Sequence, residues 1–163
     1  MQREAKSRRI EVVRAHPVAE LLECPQETGQ LLKSSAQNLS FHAGEVVFLQ
    51  SGICRGLYLV RSGKLMRSAC RREFSLALAQ ARAGDMVELA AALGDGRHAY
   101  TLAAQTASSV LMLPIETLNQ VFQSYPPLRM RLLEELAREV SRAYNACRLD
   151  RVVVSQQRGR RVA

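Results

Sequence analysis

The polar residues able to do chemistry in this chain of 163 residues concentrate in one stretch, residues 88–100, which begins with Glu88 and ends with Arg97, His98 and Tyr100. A carboxylate accepts from hydroxyls, whereas a guanidinium fork and nearby N–H groups match an anionic phosphate. Each residue also has a plainer reading. Glu88 suits the first turn of a helix as a solvated acid, where negative charge is favourable. Tyr100 suits the core as an aromatic with its hydroxyl at the surface. No Ser/His/Asp, Cys/His or paired-carboxylate grouping stands out elsewhere, so no enzymatic activity is expected.

The remaining reactive side chains are dispersed. Cys24, Cys54, Cys70 and Cys147 include no C-x-x-C pair, which suits reduced cytosolic thiols better than a disulfide framework or a zinc site. His16, His42 and His98 are not paired by spacing. No metal site is therefore expected, and the cofactor is left open.

The elements that must position residues 88–100 follow from periodicity. Between residues 39 and 113 short β-prone runs are cut by glycine: LSFHAG, EVVFLQSG, GLYLVRSG, KLMRSAC, REFSLALAQARAG, YTLAAQ and SSVLMLP. Gly44, Gly52, Gly63 and Gly84 supply the turns, where positive φ costs glycine nothing. The pattern predicts an antiparallel sandwich or barrel, interrupted by a short helix in the segment Val87 to Leu93, where the composition turns to ELAAALG, closed by Gly94. Residues 17–33 predict two short helices broken by Pro25 and Gly29. After Pro126 and Pro127 a long helix is expected to about Leu149. Met130, Leu133, Ala137, Val140, Tyr144 and Cys147 recur along it at alternating intervals of three and four, while Leu128, Leu132, Leu136 and Ala143 form a second stripe. Two stripes suggest one face on the domain and one on a partner subunit, making the chain a homodimer.

Length allows one domain plus a linking helix. A hydrophobic share of 47% with 5% aromatic residues predicts an aliphatic core rather than disorder. No apolar run approaches the roughly 20 residues of a membrane span, and residues 1–14 are charged without a signal-peptide core, so a cytoplasmic protein is expected. The net charge of +8 is uneven, with nine Arg against four acids from Arg129 onward. Such a tail is either a solvated basic helix or the neighbour of something that binds nucleic acid.

The string FHAGEVVFLQSG (residues 41–52), followed by GLYLVRSGKL (residues 56–65), resembles the opening of cyclic-nucleotide-binding domains in the Crp/Fnr regulator family. The resemblance continues through Ala83-Gly84-Asp85, ELAAALG, VLMLP and the long helix, covering about residues 20–150. It implies an α+β fold: an antiparallel β-roll of jelly-roll type, flanked by short N-terminal helices and a long C-terminal dimerisation helix. The implied segments are an N-terminal tail with short helices (1–35), an effector-binding roll (36–125), a dimerisation helix (126–150) and a hinge (151–163).

In nucleotide-binding relatives a Gly-Glu pair holds the ribose, and ten residues on an Arg followed by Ser or Thr grips the cyclic phosphate. Here Glu88 stands at the ribose position but Val87 replaces the glycine, His98 stands for the Arg and Ala99 for the hydroxyl, with Arg97 one residue off register. The resemblance therefore implies an effector near Glu88, Arg97, His98 and Tyr100 that is not a standard cyclic nucleotide. Tyr100 matches a related group that lacks the Arg. Iron–sulfur relatives carry several N-terminal cysteines where this chain has only Cys24, and nothing pairs two histidines for haem. Cys147, at a seam position, could face its counterpart in a parallel pair and form a disulfide, or simply fill the seam.

The ending VVVSQQRGRRVA resembles the hinge before a winged helix-turn-helix. DNA is thus expected to be read only through a domain missing from this chain, with at most phosphate contacts from Arg158, Arg160 and Arg161. Two functions remain: the effector-sensing and dimerising module of a Crp/Fnr-type regulator, or a stand-alone protein of this fold acting through protein–protein contacts.

Overall fold

The computed structural model describes residues 22–71 and 74–159, with side chains described as far as residue 145. Strand β3 (Gly56–Ser62) shows how the sequence pattern becomes architecture. Successive side chains of a strand point to opposite faces. Tyr58 and Val60 accordingly enter a core with Phe48, Leu65, Leu102 and Val110, while Leu57 enters a second core with Leu113, Leu118, Leu128 and Leu132.

Eight strands build the roll: β1 (Gln37–Phe41), β2 (Val46–Phe48), β3, β4 (Lys64–Arg71), β5 (Phe74–Arg82), β6 (Met86–Val87), β7 (Thr101–Ala104) and β8 (Ser108–Pro114). They form two four-stranded sheets in the orders β1-β8-β3-β6 and β2-β7-β4-β5. All pairings are antiparallel. The chain crosses repeatedly between the sheets, enclosing the first core, and the helices cover the outer face of the first sheet to enclose the second. The fold is thus the expected α+β β-roll with helices at both ends.

The helices are α1 (Gln26–Ser35), α2 (Leu89–Leu93), α3 (Ile115–Ser124) and α4 (Pro126–Gly159). Four local expectations need correction. Gly29 does not break a helix: α1 runs through it, its N–H donating to Pro25 O at 2.9 Å, and Pro25 only precedes the helix. The other predicted N-terminal helix falls largely outside the described residues. Val87 lies in strand β6 rather than in the short helix, pairing with Tyr58. At the turn after β2 the left-handed residue is Ser51, with φ of 66°, and not Gly52. Gly52 is needed for closeness instead, since a Cβ there would stand 3.0 Å from Leu49 O and 3.5 Å from the His98 ring.

The fourth correction concerns length. Helix α4 continues past Leu149 to Gly159, because no glycine or proline intervenes before that residue. Its start at Pro126 suits a residue whose missing N–H is unpaired in a first turn anyway. Leu128 and Leu132 are fully buried on the roll and Leu136 packs beside them, whereas Ala143 of the same predicted stripe is exposed.

Candidate functional site

Three chain segments bring the polar residues together. The turn after β2 and the loop before β7 are tied by backbone hydrogen bonds: Ser51 N–H donates to His98 O at 2.8 Å, His98 N–H to Gly52 O at 2.9 Å and Cys54 N–H to Gly96 O at 2.7 Å. These three bonds hold His98 inward, where its ring stacks on Phe48 with centroids 3.9 Å apart and planes 11° from parallel. Glu88 forms the third segment. It sits between β6 and α2 in the left-handed region, with φ of 79°. Few non-glycine residues other than Asn and Asp accept that conformation, so the surrounding contacts must hold it there.

What holds Glu88 is His98. The ring Nδ1–H donates to Glu88 Oε2 at 2.6 Å, and each side chain is 2% exposed. The solvated-acid reading of Glu88 is therefore wrong: it ends below the surface because it has a partner there, as a buried charge must. His98, one of three residues that depart from the nucleotide-binding pattern, bonds to the carboxylate that pattern would offer to a ribose.

Above this pair lies a cavity of about 500 Å³, lined by Ser51, Glu88, Arg97, His98, Ala99 and Tyr100, by Leu89 to Ala91 and Asp95, and also by Arg67 and Glu139. All four predicted binding residues thus share one cavity. Their roles differ from the simple expectation. Arg97 is at the rim, its guanidinium donating to Ser51 O at 3.1 Å and its backbone N–H to Asp95 Oδ1 at 3.1 Å. Tyr100 leans on Phe48, with ring centroids 5.7 Å apart, and carries the Arg67 guanidinium 5.5 Å from its centroid. Burial first, and then the Glu88 carboxylate, push the Tyr100 phenol well above its ordinary range. Tyr58, deeper in the same core, is pushed up to about 12, chiefly by burial.

Arg67, Glu139 and Cys54 were not singled out from the sequence as site residues. Arg67 lies two residues after buried Leu65 on β4, so the strand period places a cation on the core-facing side. Its Nε is buried without a hydrogen-bond partner among the described residues. Glu139 lies three and seven residues after Leu136 and Leu132, an acid in the stripe of α4 that faces the roll. Burial pushes its carboxyl up, against the pull of Arg67. Both signals were legible as charges interrupting apolar periods.

Cys54 is also buried and donates its thiol to Gly56 O at 3.2 Å, and burial raises its pKa. Although the thiols and histidines are scattered along the sequence, Cys54, Glu88 and His98 each present a donor atom within 4.8 Å of the others. Of the predicted dimer seam, Met130, Val140 and Tyr144 are 56%, 60% and 64% exposed. Ala137 is exposed too, Leu133 is half-buried, and Cys147 lies beyond the described side chains.

The cyclic nucleotide-binding domain family matches residues 38–125, and this chain belongs to that family. No curated protein sequence matches it. Among solved structures, it is similar to the Thermus thermophilus catabolite activator protein, at 24% identity and a TM-score of 0.66 over 77% of this chain and 59% of that one. It is similar in the same way to the sensor domain of the transcriptional regulator DNR from Pseudomonas aeruginosa, at 20% identity and 0.65 over 77% and 84% of the two chains. The N-terminal domain of a transcriptional regulator from Streptomyces coelicolor A3(2) matches at 23% and 0.58, over 76% and 87%. These likenesses are of fold. The matched part spans less than two thirds of the Thermus activator's length.

Proposed function

We propose that the chain is the effector-sensing and dimerising part of a Crp/Fnr-type bacterial transcription regulator, whose effector is not a standard cyclic nucleotide. The observation that carries this reading is the Glu88–His98 pair on the cavity floor, 2.6 Å apart and closed to solvent. A ribose hydroxyl would meet a carboxylate already bonded to His98 through Oε2, and a pose that displaced His98 would leave a buried polar group unpaired at a cost of about 1–3 kcal/mol. What the cavity offers instead is Arg67 with its unpartnered Nε, Arg97 at the rim, and the Tyr100 ring. That set suits a small anionic or aromatic molecule.

Glu139 links the cavity to the long helix, since it lines the cavity and belongs to α4. An effector that contacts Arg67 and Glu139 differently in two arrangements of α4 shifts the population between them. The exposed face of Met130, Ala137, Val140 and Tyr144 supports pairing of two such helices in a homodimer. DNA is then contacted through a separate domain, and the protein works in the cytoplasm. No helix among the described residues is long and apolar enough to cross a membrane.

A thermal-shift panel of cyclic AMP, cyclic GMP, cyclic di-GMP, 2-oxoglutarate, haem and small phenols tests the reading. A ligand specific to the native state raises its melting temperature. The expected outcome is a shift with a non-nucleotide member and none with cyclic AMP or cyclic GMP. A shift confined to those two nucleotides would overturn it.

A further inference from the structure

We infer that Cys54, Glu88 and His98 form a three-ligand site for a divalent transition metal of the zinc type at the floor of the cavity. The inference stands on these three donors and holds whichever effector occupies the space above them. The three come from separate segments, the turn after β2, the residue between β6 and α2, and the loop before β7, yet all are buried and their donor atoms lie within 4.8 Å of one another. A tetrahedral zinc with bonds of about 2.0–2.1 Å to nitrogen or oxygen and about 2.3 Å to sulfur sets its donors about 3.3–3.6 Å apart. To reach that spacing the 2.6 Å contact between Glu88 and His98 must widen by about 0.7 Å, and donors now as much as 4.8 Å apart must close in by about 1 Å, shifts that side-chain rotation can supply.

Charge favours the same occupant. A thiolate and a carboxylate together neutralise a dication, so the filled site adds no net charge to the interior. Sulfur, imidazole nitrogen and carboxylate oxygen are the donor types zinc takes, whereas magnesium and calcium prefer oxygen alone. On binding, Cys54 gives its thiol proton to solvent and exchanges its bond to Gly56 O for the metal, while His98 gives up the Nδ1 proton it shares with Glu88 and binds through Nδ1 as the neutral Nε2–H imidazole. The backbone bonds from Ser51, His98 and Cys54 keep both loop ligands in place without the metal. Glu88 and His98 both line the cavity, so a water or a small anion near Arg67 would reach the fourth position from that side. That open position is the arrangement of a ligand-accepting rather than a purely structural zinc.

The test adds zinc or cobalt(II) to the full chain in reduced form. One equivalent should be retained after gel filtration, and zinc should raise the melting temperature by about 5 °C or more at a hundredfold excess over Kd. The cobalt form should show thiolate-to-metal charge-transfer absorption that is lost in Cys54→Ala and kept in Cys24→Ala and Cys70→Ala. X-ray absorption of the zinc-loaded wild type, which needs no variant, should report one sulfur and otherwise nitrogen or oxygen neighbours. Failure to retain metal, a charge-transfer band that survives Cys54→Ala, or a zinc shell with no sulfur or several would overturn the inference.

Discussion

The two cores of this protein are built from different materials. Between the first sheet and the helices, Leu32, Leu57, Leu113, Leu118, Val121, Leu128 and Leu132 pack with no buried charge among them. Between the sheets, the aliphatic cluster ends in aromatic rings and a buried hydrogen-bonded couple: Phe48 packs against Tyr58 and Tyr100 and stacks on His98, which pairs with Glu88. Aliphatic packing supplies stability in proportion to the apolar area removed from water. A buried carboxylate and imidazole at best offset their own desolvation, and they need strained Glu88 geometry besides. Polar groups kept at such a cost next to a cavity are better explained by what the cavity binds than by what the fold requires.

Truncation should do most damage where the packing is purely apolar. Leu132→Ala should destabilise the protein by about 2–5 kcal/mol, read from urea unfolding, because Leu132 is 1% exposed in the helix-facing core. Glu88→Ala should cost less, about 1–3 kcal/mol, since it chiefly leaves the His98 N–H without its acceptor. If Glu88→Ala proves the more damaging of the two, the pair is a structural keystone and the contrast between the cores fails.

Alkaline pH sharpens the same contrast. Tyr58 keeps its proton in the folded protein up to about 12, against an ordinary value near 10 when unfolded. The folded state therefore binds the extra proton between roughly pH 10 and 12, and stability falls as pH rises through that window. Tyr100, held up by burial and by Glu88, acts in the same direction. Phenolate absorbance of the folded protein near pH 10.5 should accordingly lack Tyr58 and Tyr100 and recover them on unfolding; appearance of these two phenolates before unfolding would place the rings in solvent. The smallest effect is expected at the helix surface. Tyr144→Ala should change the unfolding energy of a subunit by no more than about 0.5 kcal/mol, while sedimentation should show weaker self-association.

The strands and the long helix were legible because their periods are regular and their turn residues stand in place. Glu88 was not, because its burial depends on His98, ten positions away across a loop, and no local pattern announces that a carboxylate will meet an imidazole. Read locally, His98 only removed a nucleotide contact; folded, it takes that contact for itself. Arg67 and Glu139 were visible as charges in apolar stripes, but their convergence on one cavity depends on how β4 and α4 pack. Cys54 carried no spacing signal, since its neighbours in space arrive from two other segments. Gly29 shows the reverse error, a helix breaker by type that sits inside α1 because flanking Leu31 and Leu32 pack against the roll.

Calorimetric titration of the reduced, full chain with cyclic AMP is the most direct test of the claim that the cavity floor is already engaged. With Glu88 held by His98 and no Arg–Ser pair for the phosphate, binding should be absent or weaker than about 1 mM. Saturable binding in the micromolar range would contradict the account, showing that the pair opens for a ribose after all.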